Sequence, residues 1–110
     1  ETIYNYTIYD KFLLKNKRIP TTEEREKLEG IYYDSYKANT EIKKYNMLLE
    51  RIALKNEVNY FDVKKVFCSD QNKKCKFSLV NDKKIYYDFG HLTLEGAKFL
   101  TSKINDLNIL

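Results

Sequence analysis

Residues 83–100 read KKIYYDFGHLTLEGAKFL, and the reading of this string decides the fold. "KKIYY" is a short aromatic run with strand character, and "DFGH" is a loop carrying Gly90. From Thr93 onward "TLEGAKFLTSKINDL" has the apolar spacing of an amphipathic helix, with Thr93 as its N-cap. The loop also holds His91, the only histidine of the chain, three residues after Asp88. Acyl-transfer chemistry needs an imidazole that takes a proton from a nucleophilic hydroxyl. It also needs a carboxylate that holds the ring in the right tautomer. Across a glycine-containing loop the two side chains can converge. By itself the spacing is weak, because with seven aspartates in 110 residues chance places one at this offset about one time in sixteen. The plainer reading is a histidine at a helix start that only hydrogen-bonds to Asp88.

Upstream, "KFSLV" (76–80) and "KKIYY" flank Asn81-Asp82 and are expected to pair as a small hairpin. Before it lie the two cysteines, Cys68 and Cys75, separated by the polar string SDQNKK. Turn-forming residues let the chain reverse there. A bridge closing so short a loop stabilises by roughly 2.5 kcal/mol in the chain-entropy model and implies an oxidising compartment. Two free thiols, or half of a metal site, are the alternatives. Two cysteines and one distant histidine do not make a usual four-ligand zinc set, so no metal is expected.

Further upstream, "VNYFDV" (58–63) has the pattern of a buried strand entered from a helix. That helix is expected from Thr21, in a capping box with Glu24, to about Asn56, with a break or bend at Gly30. Within it Ile42, Tyr45, Leu48, Leu49, Ile52 and Ala53 recur at spacings of three and four, which predicts one buried stripe. The start, residues 1–19, reads as a short strand or loop leading into a helical turn. Helix followed by strand implies an α/β fold.

The chain has 33% charged residues and a net charge of +4, with acidic and basic residues interleaved, so no nucleic-acid partner is indicated. Ten tyrosines and six phenylalanines without a nucleic-acid motif suit core packing. No stretch approaches the ~20 apolar residues of a membrane span, and no signal-peptide pattern opens the chain. The first residue is Glu1, and a piece of a longer protein is the expectation.

Read as Asp-x-x-His-Leu-Thr-x-x-Gly-Ala, residues 88–97 resemble the carboxyl-terminal motif of the SGNH hydrolases. More particularly, they resemble the extracytoplasmic domain attached to membrane-integral O-acyltransferases, the O-antigen and peptidoglycan acetylases. The order of helix, short strand ending near Asp62, cysteine pair and hairpin is similar as well. The resemblance implies that Asp88 and His91 belong to a Ser-His-Asp triad. It implies an α/β fold in which 1–110 forms a single unit, the carboxyl-terminal part of a three-layer, flavodoxin-like SGNH domain with a parallel sheet flanked by helices. It also implies an extracytoplasmic location, a glycan acceptor and an acyl donor as partners, no cofactor, and an N-terminal remainder with a membrane domain.

The family's nucleophile lies in a Gly-Asp-Ser turn after the first strand, and its oxyanion hole uses a Gly and an Asn from two further segments. None is present here. Ser35 and Ser102 fall in helical patterns, Ser69 lies in the cysteine loop and Ser78 sits in a strand pattern. The expectation is therefore that the nucleophile half precedes Glu1, and that this part alone is inactive and prone to self-association. The alternatives are an SGNH esterase with the same triad, or a non-catalytic binding domain.

Overall fold

The structure, a computed structural model, describes residues 6–88 and 90–107. Of the strand or loop leading into a helical turn expected over residues 1–19, residues 1–5 lie outside them, and the turn proves to be a helix of nine residues. Two helices begin on capping boxes. The Thr7 side chain accepts from the Asp10 amide while Asp10 reaches back to the Thr7 amide, opening α1 (Ile8–Asn16). Thr21 and Glu24 do the same for α2 (Thr22–Ala38), as their spacing predicts. Arg18 forks onto the Glu24 carboxylate at 2.7 and 2.9 Å. That pairing, followed by the Thr21 amide, holds the Glu24 pKa at about 2.

The long helix breaks at Asn39, not at Gly30. Asn39 ends α2 and its side chain accepts from the Ile42 amide at 3.1 Å, capping α3 (Thr40–Lys55). A short polar side chain can satisfy an orphan helix-start donor, and that favours the break here. Gly30 stays within α2, where an added Cβ would meet only the Lys73 carbonyl, at 4.0 Å. A second correction concerns the apolar stripe. Its spacing is helical, but none of α3 is buried, and Ile42, Tyr45, Leu48, Leu49 and Ile52 are all exposed.

The expected strand over 58–63 is also absent. Residues 58–62 carry no regular structure, and Val63 leads into the single turn α4 (Lys64–Phe67). A strand exists only where a neighbour satisfies its backbone donors and acceptors, and among the described residues none lies alongside. The same lack explains why no parallel sheet is seen among the described residues. Among the described residues a two-stranded sheet pairs β1 (Cys68–Ser69) with β2 (Lys74–Cys75) antiparallel, Cys68 opposite Cys75.

Cys68 and Cys75 are bridged, so the free-thiol and half-metal-site alternatives fall away. Cys75 is fully buried beneath α2, which packs along β2. Tyr33 of α2 donates to the Asp70 carboxylate in the intervening turn at 2.8 Å, and Lys37 pairs with it at 2.9 Å. We expect reduction to lower unfolding stability by roughly 2.5 kcal/mol. Urea melts with and without reductant measure this, and superimposable curves would refute it.

The hairpin over 76–87 forms, with Leu79 N–H donating to Lys83 at 2.9 Å and Ile85 N–H to Phe77 at 3.1 Å. Its ladder reduces to a single bridge, Ser78 to Lys84. Asp82 turns the corner at φ 63° and is held from two sides: Tyr9 donates to its carbonyl at 2.8 Å, and Arg25 pairs with its carboxylate. Phe67, Ile85 and Tyr86 form the core, closed by Phe99 and Leu100 of the last helix, α5 (Leu94–Asp106). The rings of Tyr9 and Phe77 pack tilted against each other, centroids 5.2 Å apart.

Candidate functional site

Three interactions set the loop between Tyr86 and α5. The Tyr87 amide donates to the His91 carbonyl at 2.8 Å, and Tyr86 and Leu92 form an antiparallel bridge, so the chain closes tightly on itself. The Asp88 side chain fills the mouth of this turn. Its Oδ1 accepts from the amides of Gly90 at 2.9 Å and His91 at 3.0 Å. The same carboxylate meets the His91 ring, Nδ1 lying 2.8 Å from Oδ1 and 3.1 Å from Oδ2.

Helix α5 anchors the other end. The Thr93 amide donates to the Ile85 carbonyl at 2.9 Å, and its hydroxyl donates to the carbonyl of Lys84 while accepting from the Gly96 amide at 3.0 Å. Thr93 therefore caps the helix, as predicted, and also ties it to the hairpin. Gly96 sits where α5 crosses Ile85, and a Cβ there would stand 2.2 Å from the Ile85 carbonyl oxygen. The helix start thus lies against the backbone of the strand-like segment.

Asp88 is three-quarters covered, while His91 is 77% exposed. The Gly90 amide, then the His91 ring, holds the Asp88 carboxyl below the usual carboxylate range. An ionised Asp88 beside Nδ1 makes Nδ1 the protonated nitrogen of neutral His91, so Nε2 is the acceptor. No hydrogen bond among the described residues engages Nε2. The pair is thus a carboxylate, an oriented imidazole and a free basic nitrogen facing solvent.

The depressed Asp88 value implies a pH dependence. A carboxyl whose folded pKa lies below its unfolded one contributes stability that is present above the unfolded pKa and lost as pH falls through the folded pKa. The loop is therefore expected to hold through mild acid and to loosen only below the usual carboxylate range. Carboxyl-carbon NMR of Asp88 against pH checks this. A midpoint at or above the unfolded value would refute it.

The serines are not brought to the histidine. Ser35 and Ser102 are exposed on α2 and α5, Ser69 Oγ accepts from the Asn72 amide at 3.1 Å, and Ser78 is buried with no partner for its hydroxyl. None hydrogen-bonds to His91. The close approach of Gly96 to Ile85 and the surroundings of Lys64 and Tyr86 are not among the sequence expectations. Gly96 was legible only as a motif position, although a glycine among good helix formers signals a close backbone approach. Lys64 and Tyr86 carried no signal. They line a cavity of about 560 Å³ that also has Asp88 on its wall.

No group of three or more potential metal ligands occurs among the described residues, and no helix among them is long and apolar enough to cross a membrane. Compared with known families, residues 5–106 match the model described as "SGNH domain (fused to AT3 domains)". No curated protein and no solved structure gives a match.

Proposed function

The chain belongs to the family of SGNH domains fused to AT3, acyltransferase-3, domains, and from that membership we propose that it carries the base half of an acyl-transfer site. The observation that carries the proposal is the Asp88–His91 bond at 2.8 Å with Nε2 left free. His91 Nε2 takes the proton from a serine hydroxyl as that oxygen attacks the acyl carbonyl. The imidazolium, stabilised by Asp88, returns the proton to the departing group and leaves an acyl-serine. A glycan hydroxyl then gives its proton to Nε2, attacks the acyl carbon and expels the serine oxygen, which recovers the proton. Fusion to acyltransferase domains favours a sugar hydroxyl over water in this second step, and acetyl is the acyl group the family resemblance suggests.

The serine is proposed to come from another segment of a longer protein, since the four serines here do not reach His91. Two observations support a missing neighbour: the uncovered apolar face of α3, and a strand-patterned segment, 58–63, without a partner. In this reading 1–110 is the carboxyl-terminal part of a three-layer domain, located outside the cytoplasm, and the Cys68–Cys75 bridge agrees with that location. Alone, it self-associates through the α3 face.

A fluorophosphonate, which labels serines activated by a base, tests the proposal. The complete protein is expected to label at a serine preceding residue 1, with labelling lost in His91→Ala, while the 110-residue chain stays unlabelled. Labelling of a serine within the chain, or labelling indifferent to His91→Ala, would overturn it.

A further inference from the structure

The backbone that carries His91 is held to the rest of the molecule by few bonds. Residues 84–87 and 91–93 run antiparallel, joined by Tyr87 N–H to the His91 carbonyl at 2.8 Å and by Thr93 N–H to the Ile85 carbonyl at 2.9 Å. One bridge, Tyr86 to Leu92, lies between these two bonds. A pairing this short is marginal by itself. His91 is 77% exposed, so little packing adds to it.

Thr93 supplies a further tie through its side chain. Its hydroxyl donates to the Lys84 carbonyl, with the Ile85 carbonyl 3.2 Å away as a second acceptor. The same oxygen accepts from the Gly96 amide at 3.0 Å. A helix cap needs only that last bond, an acceptor for an unsatisfied amide. The donated bond exceeds what capping requires, and it ends on a residue that is itself anchored. Lys84 Nζ pairs with Asp10 of α1 at 2.7 Å, and the Lys84 backbone bridges to Ser78 across the hairpin.

We propose that Thr93 is a positioning residue for His91, and that the hydrogen bond its hydroxyl donates to Lys84 sets how far Nε2 stands from the nucleophile. The inference rests on the acyl-transfer reading above and adds a residue to that site. Thr93 does not itself meet substrate or serine; it acts through the backbone of residues 91–93. Asp88 holds the imidazole from the hairpin side of the turn, and Thr93 holds the same turn from the helix side. Placement matters because a general base must stand within about 2.6–3.2 Å of the hydroxyl it deprotonates. A displacement of about 1 Å can lower a rate by about 10²-fold.

Substitution separates the two roles of the hydroxyl. Thr93→Ser keeps donor and acceptor, Thr93→Asp keeps a capping acceptor without the donor, and Thr93→Val has neither. The readout is the rate of fluorophosphonate labelling of the complete protein per folded molecule, with melts giving the folded fraction. Thr93→Ser is expected to label within about twofold of the unsubstituted protein, and Thr93→Asp and Thr93→Val about ten- to a hundredfold more slowly. A residue that only caps α5 behaves differently: Asp would restore the stability that Val loses, and the rate per folded molecule would not change in any of the three. Thr93→Asp labelling as fast as Thr93→Ser, or all three at the unsubstituted rate, would overturn this inference alone, provided that His91→Ala still abolishes labelling. Labelling indifferent to His91→Ala would overturn it together with the acyl-transfer reading.

Discussion

In the complete protein, His91→Ala is expected to lower acyl transfer by at least about 10⁴-fold, because the serine loses the base that ionises it. Asp88→Asn should come close to the same loss while leaving the loop folded. The amide oxygen of asparagine can still accept from Gly90 and His91, so the turn keeps its closure. Its NH₂ group, however, cannot accept from Nδ1–H. It favours the tautomer with the proton on Nε2, where that nitrogen is no longer a base. The double variant should be little worse than His91→Ala, since the pair acts as a unit. If Asp88 only shaped the turn, its loss would cost about 1 kcal/mol of stability and leave the rate per folded molecule unchanged. Acyl-transfer rates and melts of the three variants separate these outcomes. Activity surviving in both single variants would remove Asp88 and His91 from the mechanism.

Gly96→Ala is expected to have the largest effect on stability. A methyl group 2.2 Å from the Ile85 carbonyl oxygen cannot be accommodated by rotating a side chain, because the obstacle is backbone. Helix α5 must move away from Ile85, and Thr93, whose amide donates to the same carbonyl, moves with it. The loss should reach about 3 kcal/mol, the upper part of the usual range for overpacking. Since His91 lies between the displaced helix and the strand-like segment, acyl transfer should fall as well. Gly30→Ala is the control. It removes a glycine from the interior of α2, with nothing nearer than 4.0 Å, and should be neutral or stabilise by up to about 1 kcal/mol. Urea melts of the two variants decide. A Gly96→Ala protein as stable as Gly30→Ala would mean that the contact with Ile85 does not hold the helix.

The uncovered face of α3 and the unpaired segment at 58–63 share one cause. Hydrophobic periodicity reports which side of a helix or strand wants to be covered, and the spacing of Ile42, Tyr45, Leu48, Leu49 and Ile52 predicts the helix that forms but not the burial that does not. Covering it requires another element of the right shape in the right place. Likewise the β-branched and aromatic content of VNYFDV records a preference, whereas a strand is a property of a pair.

By itself the sequence determined what depends on neighbours a few residues apart. These features are the capping box at Thr21, the N-cap at Thr93, the amphipathic run of α5, the turn at Asn81-Asp82, the closeness of the two cysteines, and the loop that joins Asp88 to His91. Each is governed by hydrogen bonds and closures spanning three to eight residues, so residue type and spacing suffice. The tertiary structure alone decided where the helix breaks, that the α3 stripe lies open, and that Gly96 touches Ile85. It alone also decided that Lys64 enters a ring of tyrosines drawn from α2 and the hairpin. Those facts turn on which distant segments meet, and meeting is set by summed burial over the whole core, a quantity that no short window of sequence contains.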